Sequence, residues 1–166
     1  MKKNIIYVIV LIAVFISACK KENEVIPSNN NEVTATVVIS PTSTITINAK
    51  GSKAKMGCSF LGGGNFISGT NETNAAIYIA YVYGSGSSCV SNPGTYNFSC
   101  EYRKNGTDSN TPIWSNNGAN RGSITFTAIN DHYMEGFFNA VSRCNYGSCV
   151  IGVDSVIING TFKGNF

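Results

Sequence analysis

From Val33 nearly to Phe166, apolar side chains recur at every second position, and this period limits the fold more than any other feature of the chain. A strand sends successive side chains to opposite faces, whereas a helix needs apolar residues three and four apart. Val33, Ala35, Val37 and Ile39 alternate with polar or small residues until Pro41 ends the run. Thr44 to Ala49 reads as a second strand, closed by Lys50-Gly51-Ser52. Ala54, Met56, Cys58 and Phe60 mark a third, before Gly62-Gly63-Gly64 forces a bend. Asn65 to Thr70 reads as a fourth, followed by a turn over Asn71–Asn74. Ala76 to Tyr83 is apolar on both faces, the pattern of a central strand or of one lining an internal cavity. Gly84 to Pro93 reads as a loop, after which Gly94 to Cys100 resumes the alternation. Ile113-Trp114 starts a short strand before an Asn/Gly-rich loop through Asn120.

The C-terminal third carries the clearest signal. Ile124, Phe126 and Ala128 form one row, Asn130-Asp131-His132 turns the chain, and Tyr133 to Val141 returns as a hairpin partner. Val156, Ile158, Gly160 and Phe162 form the inward row of a last strand, with Gly160 leaving room for Phe138 or Phe126. No window of eleven or more residues after the first eighteen combines helical spacing with capping signals. About eight to ten strands in about 135 residues predict an all-β domain, an antiparallel β-sandwich or a partly closed β-barrel.

The N-terminus is of a different kind. Met1-Lys2-Lys3-Asn4 precedes twelve apolar residues, Ile5 to Ile16. A membrane span needs ~20 such residues, so this run has the length of a secretory signal core rather than an anchor. Ile16-Ser17-Ala18-Cys19 then reads as a lipobox: an aliphatic residue, two small residues that fit a narrow peptidase cleft, and a thiol that can become the lipid-bearing thioether. The expected organisation is a signal peptide over 1–18, lipidated Cys19 with a flexible tether over 19–32, and one β domain over 33–166. Two or three acyl chains on Cys19 would hold the protein to the membrane, since each buried methylene contributes ~0.8 kcal/mol. The polar tether from Lys20 to about Asn31 buries no apolar surface and reaches about 20 Å.

Cleavage before Cys19 removes Lys2 and Lys3. Of the twelve basic residues ten then remain against nine acidic ones, a net of +1. So even a balance gives nucleic acid no electrostatic footing.

Pro93-Gly94-Thr95-Tyr96, Gly122-Ser123-Ile124-Thr125-Phe126, Glu135-Gly136-Phe137-Phe138 and Asn159-Gly160-Thr161-Phe162 follow one another in an order that resembles a small Bacteroidota lipoprotein family of unknown function. The likeness covers roughly Thr44 to Phe166. It implies an all-β domain on a lipid anchor in the outer membrane or at the cell surface, and it lends no activity or catalytic residues. The charged run after Cys19 is similar to surface-export signals of such lipoproteins. Asp154-Ser155-Val156 fits the short pattern associated with O-glycosylation in Bacteroidota, which makes Ser155 a candidate modification site.

Five cysteines remain besides Cys19: Cys58, Cys89, Cys100, Cys144 and Cys149. In an oxidising compartment they should pair and leave one over. Cys144 and Cys149 flank a strand-to-strand loop whose ends come close, and are expected to form one bridge. Cys58 and Cys100 lie on apolar rows and are expected to form a core bridge, with Cys89 as the odd thiol. A single histidine and the lack of a second Cys/His pair give no basis for a metal site, and no cofactor motif is present.

Two function classes follow. The first is a membrane-anchored, non-enzymatic binding or accessory module facing a glycan or an envelope protein. Trp114, in its Asn/Gly-rich surroundings, would stack on a sugar ring with Arg121 and Tyr102 nearby. The second is a glycan-acting hydrolase using Asp131 and Glu135 beside His132, since two carboxylates ~5–9.5 Å apart can serve as a glycosidase pair.

Overall fold

The alternating runs become strands at nearly the bounds their residues suggest. A computed structural model describes residues 30–59, 64–82, 89–106, 113–116, 122–146 and 155–166. Its strands are β1 Glu32–Ser40, β2 Ser43–Lys50, β3 Ala54–Ser59, β4 Gly64–Thr70, β5 Ala76–Val82, β6 Gly94–Tyr96, β7 Ser99–Arg103, β8 Ile113–Ser115, β9 Gly122–Ile129, β10 Tyr133–Tyr146 and β11 Ser155–Asn165. The fold is all-β, and one 3-10 turn, Gly51–Lys53, is the sole helical segment among the described residues. All strand pairs are antiparallel, and nine strands form one nearly closed, barrel-like path, β2-β1-β11-β10-β8-β7-β5-β4-β3.

The remaining two strands branch from β10. Its fourteen residues outrun either neighbour on one edge, so Met134–Ala140 pairs β9 while Arg143–Tyr146 pairs β8. The other edge of β10 pairs β11 without interruption, from Tyr133↔Asn165 to Arg143↔Ser155. The branch corrects one sequence expectation. Gly94 to Cys100 is two strands rather than one: β6 pairs β9, and β7 pairs β5 and β8. A chain that changes partners leaves backbone groups without a ladder, and buried ones must be satisfied elsewhere. Asn116 does this: its side chain donates to the Phe98 carbonyl at 2.9 Å and accepts from the Cys100 N–H at 2.8 Å.

β11 lies between β1 and β10, an interior strand of the sheet. Its inward row is Val156, Ile158, Gly160 and Phe162, as the period predicts. Cross-strand pairing sets Phe138 opposite Gly160 and Gly136 opposite Phe162. Each ring occupies the space a side chain on its partner glycine would take. The rings then meet one another: Phe126 lies edge-on to Phe162 at 5.4 Å, Phe138 stacks with Phe162 at 6.5 Å, and Phe98 caps Phe138 at 6.3 Å. The path closes where β4 approaches β1 and β2; a Cβ on Gly69 would sit 3.0 Å from both Val33 and Ala49.

The domain also begins earlier than the sequence suggests. Asn31, expected in the tether, is 8% exposed. Its side-chain oxygen accepts from the Asn165 N–H at 2.8 Å, and its carbonyl accepts from the Gly51 N–H at 2.9 Å. A polar residue that looks like linker is thus the point where the chain is tied to both β11 and the β2–β3 corner.

Phe162→Ala should cost about 3–5 kcal/mol, the usual penalty for emptying a phenylalanine site in a core. Thermal or denaturant unfolding of the wild type and the variant measures this, and a midpoint shift under about 1 °C would show that the ring cluster does not hold the sheet together.

Candidate functional site

The interior takes two of the sequence candidates out of contact with solvent. Trp114, expected as a surface stacking platform, lies on the short strand β8 but is 1% exposed, packed against the equally buried Tyr102 on β7 with ring centroids 5.4 Å apart. The pairing follows from register, since Tyr102 is the cross-strand partner of Trp114 and the inward parity carries both rings into the core. Neither can serve as a stacking platform on the surface. Burial pushes the Tyr102 phenol up to about 12. Tyr102 Oη, Trp114 Nε1 and Ser142 Oγ find no hydrogen-bond partner among the described residues. Arg121 lies outside the described residues.

The expected Cys58–Cys100 bridge does not form. Cys58 is bonded to Cys89, with Cα atoms 5.8 Å apart, and Cys100 is a buried free thiol. The order β7-β5-β4-β3 explains why Cys58 and Cys100 cannot meet. Three strand spacings separate them, about 14 Å, whereas a disulfide needs Cα atoms within about 7 Å. Both cysteines lie on apolar rows, but a shared row type says nothing about how many strands intervene. Burial raises the Cys100 thiol's pKa, which suppresses the reactive thiolate. Cys144 is disulfide-bonded, while Cys149, Cys19 and the expected signal peptide lie outside the described residues.

The hydrolase candidates sit at the β9–β10 turn. Asp131 and His132 are exposed, and the His132 N–H donates to Asn130 Oδ1 at 2.9 Å in an Asx turn. Glu135 faces out from β10, where its carboxylate accepts from the Tyr133 hydroxyl at 2.6 Å. That hydrogen bond raises the Tyr133 pKa, because removing the phenol proton would set two anions side by side. Ser155 is exposed at the start of β11, opposite Arg143.

Among the described residues, the outward face of the sheet carries a surface feature that no local stretch of sequence reveals. The outward residues of β2, β1, β11, β10, β9 and β6 fall into rows across the sheet. One row runs Asn48, Thr34, Thr161, Phe137, Thr125, Thr95; the next runs Thr46, Thr36, Asn159, Asn139, Ser123. Rows of this kind are spaced about 6.7 Å along the strands and about 4.8 Å between them. Two hollows indent the face, of about 460 and 410 Å³, and both are lined by Thr34, Phe137 and Thr161. Phe137 is 46% exposed and stands where the two meet.

The hollows differ in charge. The larger one contains Glu32, Glu135 and Lys163. Glu32 is held by Lys50 at 2.9 Å and Lys163 at 3.1 Å, and hydrogen bonds from these two ammonium groups, Lys50 first, hold its carboxyl below the usual range. The smaller hollow is lined by hydroxyl, amide and phenyl groups and by no charged side chain. Asn139 donates to Ser123 Oγ at 3.2 Å, which orients its amide. Thr34, Thr36, Asn159 and Thr161 make no side-chain hydrogen bond among the described residues, so their donors and acceptors face solvent. Their polar character is visible in the sequence, but which strands lie side by side is not.

No known protein family, curated protein or solved structure matches this chain.

The Glu32 clamp carries a pH signature. Its carboxyl titrates lower folded than unfolded, so its contribution to stability is complete above the unfolded pKa and disappears as pH falls through the folded one. The melting temperature of Glu32→Gln should lie below that of the wild type at pH 7, and the gap should narrow as pH falls below the ordinary carboxylate value of 4.5. A gap that stays constant from pH 7 to pH 3 would show that the two lysines do not stabilise the ionised form.

Proposed function

We propose that the chain is a lipid-anchored lipoprotein of the outer membrane or cell surface whose β domain is a non-enzymatic binding module. The observation that carries this reading is the outward face of β1, β11, β10 and β9, where two adjoining hollows of about 460 and 410 Å³ share the half-exposed Phe137. Ligand sites commonly fall in the range of about 300–1,000 Å³ and combine an apolar surface with a few placed polar groups. The lipobox at Ile16–Cys19 supports the anchor, and the short polar tether would keep this face close to the envelope and open to partners. The resemblance to Bacteroidota lipoproteins supports the same location. Partners on this reading are the membrane through Cys19 and an envelope glycan or protein, with no cofactor required.

Full-length protein labelled with a fatty-acid probe should carry the label and enter the detergent phase, and Cys19→Ala should do neither. Incubation with polysaccharides should yield no new reducing ends. Equal labelling of both forms would remove the anchor. Reducing ends that appear with the wild type and vanish in Glu135→Gln would replace the binding module with a hydrolase.

A further inference from the structure

Resting on the binding-module reading, we infer that the outward face of β1, β11 and β10 binds an extended, neutral glycan chain, with Phe137 stacking on a sugar ring and Asn139, Asn159, Thr36 and Thr161 meeting its hydroxyls. The chemistry of the lining selects the ligand class. The smaller hollow holds hydroxyls, two amides and a phenyl ring, and no charge. An amide offers a donor and an acceptor side by side, and a hydroxyl offers both on one atom. Vicinal sugar hydroxyls require this mixture. An anion would instead require cations, and the lysines nearest the face, Lys50 and Lys163, are already engaged by Glu32. In the larger hollow Glu32 balances its two lysines and Glu135 adds a further carboxylate, so a polyanion finds no surplus of positive charge there. Val141 and Ile157 are exposed one row beyond Asn139 and Asn159, but an apolar peptide or a lipid surface that covered the hollows themselves would leave their threonine and asparagine groups desolvated without partners.

Geometry supports an extended ligand rather than a single sugar. Both hollows run along the β10–β11 pair and meet at Phe137, so a chain crossing the ring enters one on each side. Cross-strand neighbours hold the ring: Thr161 lies opposite it on β11 and Thr125 opposite it on β9. An aromatic face supported in this way presents a large contact area with little rotamer freedom to lose. The hydroxyl and amide rows beside it sit on paired strands rather than loops, so their spacing is fixed before a ligand arrives. Such preorganisation lowers the ordering cost of binding.

The test uses full-length protein in detergent on immobilised neutral polysaccharides (a β-glucan, a mannan and an arabinoxylan), anionic ones (polygalacturonate and heparin) and an envelope-protein extract. At least one neutral polysaccharide should be retained. Phe137→Ala should weaken that retention about tenfold, the effect of losing one good aromatic contact, and Phe137→Trp should preserve it. Phe66→Ala serves as the control, because Phe66 is 39% exposed on β4 and lies outside both hollows. Its retention should equal that of the wild type. Circular dichroism and melting temperature establish that the variants fold. Failure of every neutral polysaccharide to bind, or binding that Phe137→Ala leaves unchanged, overturns the inference. Retention of a polyanion or a protein that Phe137→Ala abolishes also overturns it, while leaving the binding module standing. Release of reducing ends would remove both readings.

Discussion

The reciprocal glycine–phenylalanine pairs between β10 and β11 fix the rest of the molecule. Phe138 covers Gly160 and Phe162 covers Gly136, so each strand supplies one ring and one space. Only one register satisfies both pairs. A slip by one residue would turn every inward side chain of β11 outward, exposing Phe162 and burying Thr161 and Lys163. The same register therefore aligns the outer face, where Phe137 lies beside Thr161 and Asn139 beside Asn159. The surface proposed to bind a ligand and the core that stabilises the domain are two sides of one strand alignment.

Closure depends on different contacts. The path ends at β2 and β3, and Gly69 on β4, next to β3, packs so closely on Val33 and Ala49 that a side chain there would press on both. The Cys58–Cys89 bridge joins the terminal strand β3 to a segment 31 residues later in the chain. By chain entropy a loop of that length contributes about 3–4 kcal/mol, which is substantial beside the ~5–15 kcal/mol stability of a domain. The interior is less uniformly apolar than its alternation implies. Tyr102, Trp114 and Ser142 bring hydrogen-bonding atoms into it, and buried polar groups cost about 1–3 kcal/mol each when unsatisfied. Asn116 illustrates the satisfied case, with both ends of its amide bonded at the point where the chain changes sheet partners.

Much of this fold could be read from local patterns. Period-two alternation identified the strand faces of β1, β2, β9, β10 and β11, and Asn130-Asp131-His132 marked the hairpin turn through Asx geometry. Gly160 signalled the close approach of Phe138 or Phe126, and Phe138 is the ring that covers it. Long-range order was not legible. The pairing of Cys58 with Cys89 depends on how many strands separate β3 from β7, and the burial of Trp114 depends on β8 filling the gap that β9 leaves along β10. The outer face was missed for the same reason: Thr34, Phe137 and Asn159 are distant in sequence and become neighbours only through register. Asn31 was missed because its role is carried by two hydrogen bonds across the fold rather than by hydrophobicity.

Native-state hydrogen exchange tests the central claim most directly. If the β10–β11 alignment organises the domain, the amides of Phe138–Ala140 and Ile158–Phe162 should exchange only through global unfolding and be the slowest in the protein. In Gly160→Ala, where a methyl group would meet the Phe138 ring, their protection should collapse together with that of β1. Faster exchange in these strands than in β3 and β4, or unchanged protection in Gly160→Ala, would contradict the account.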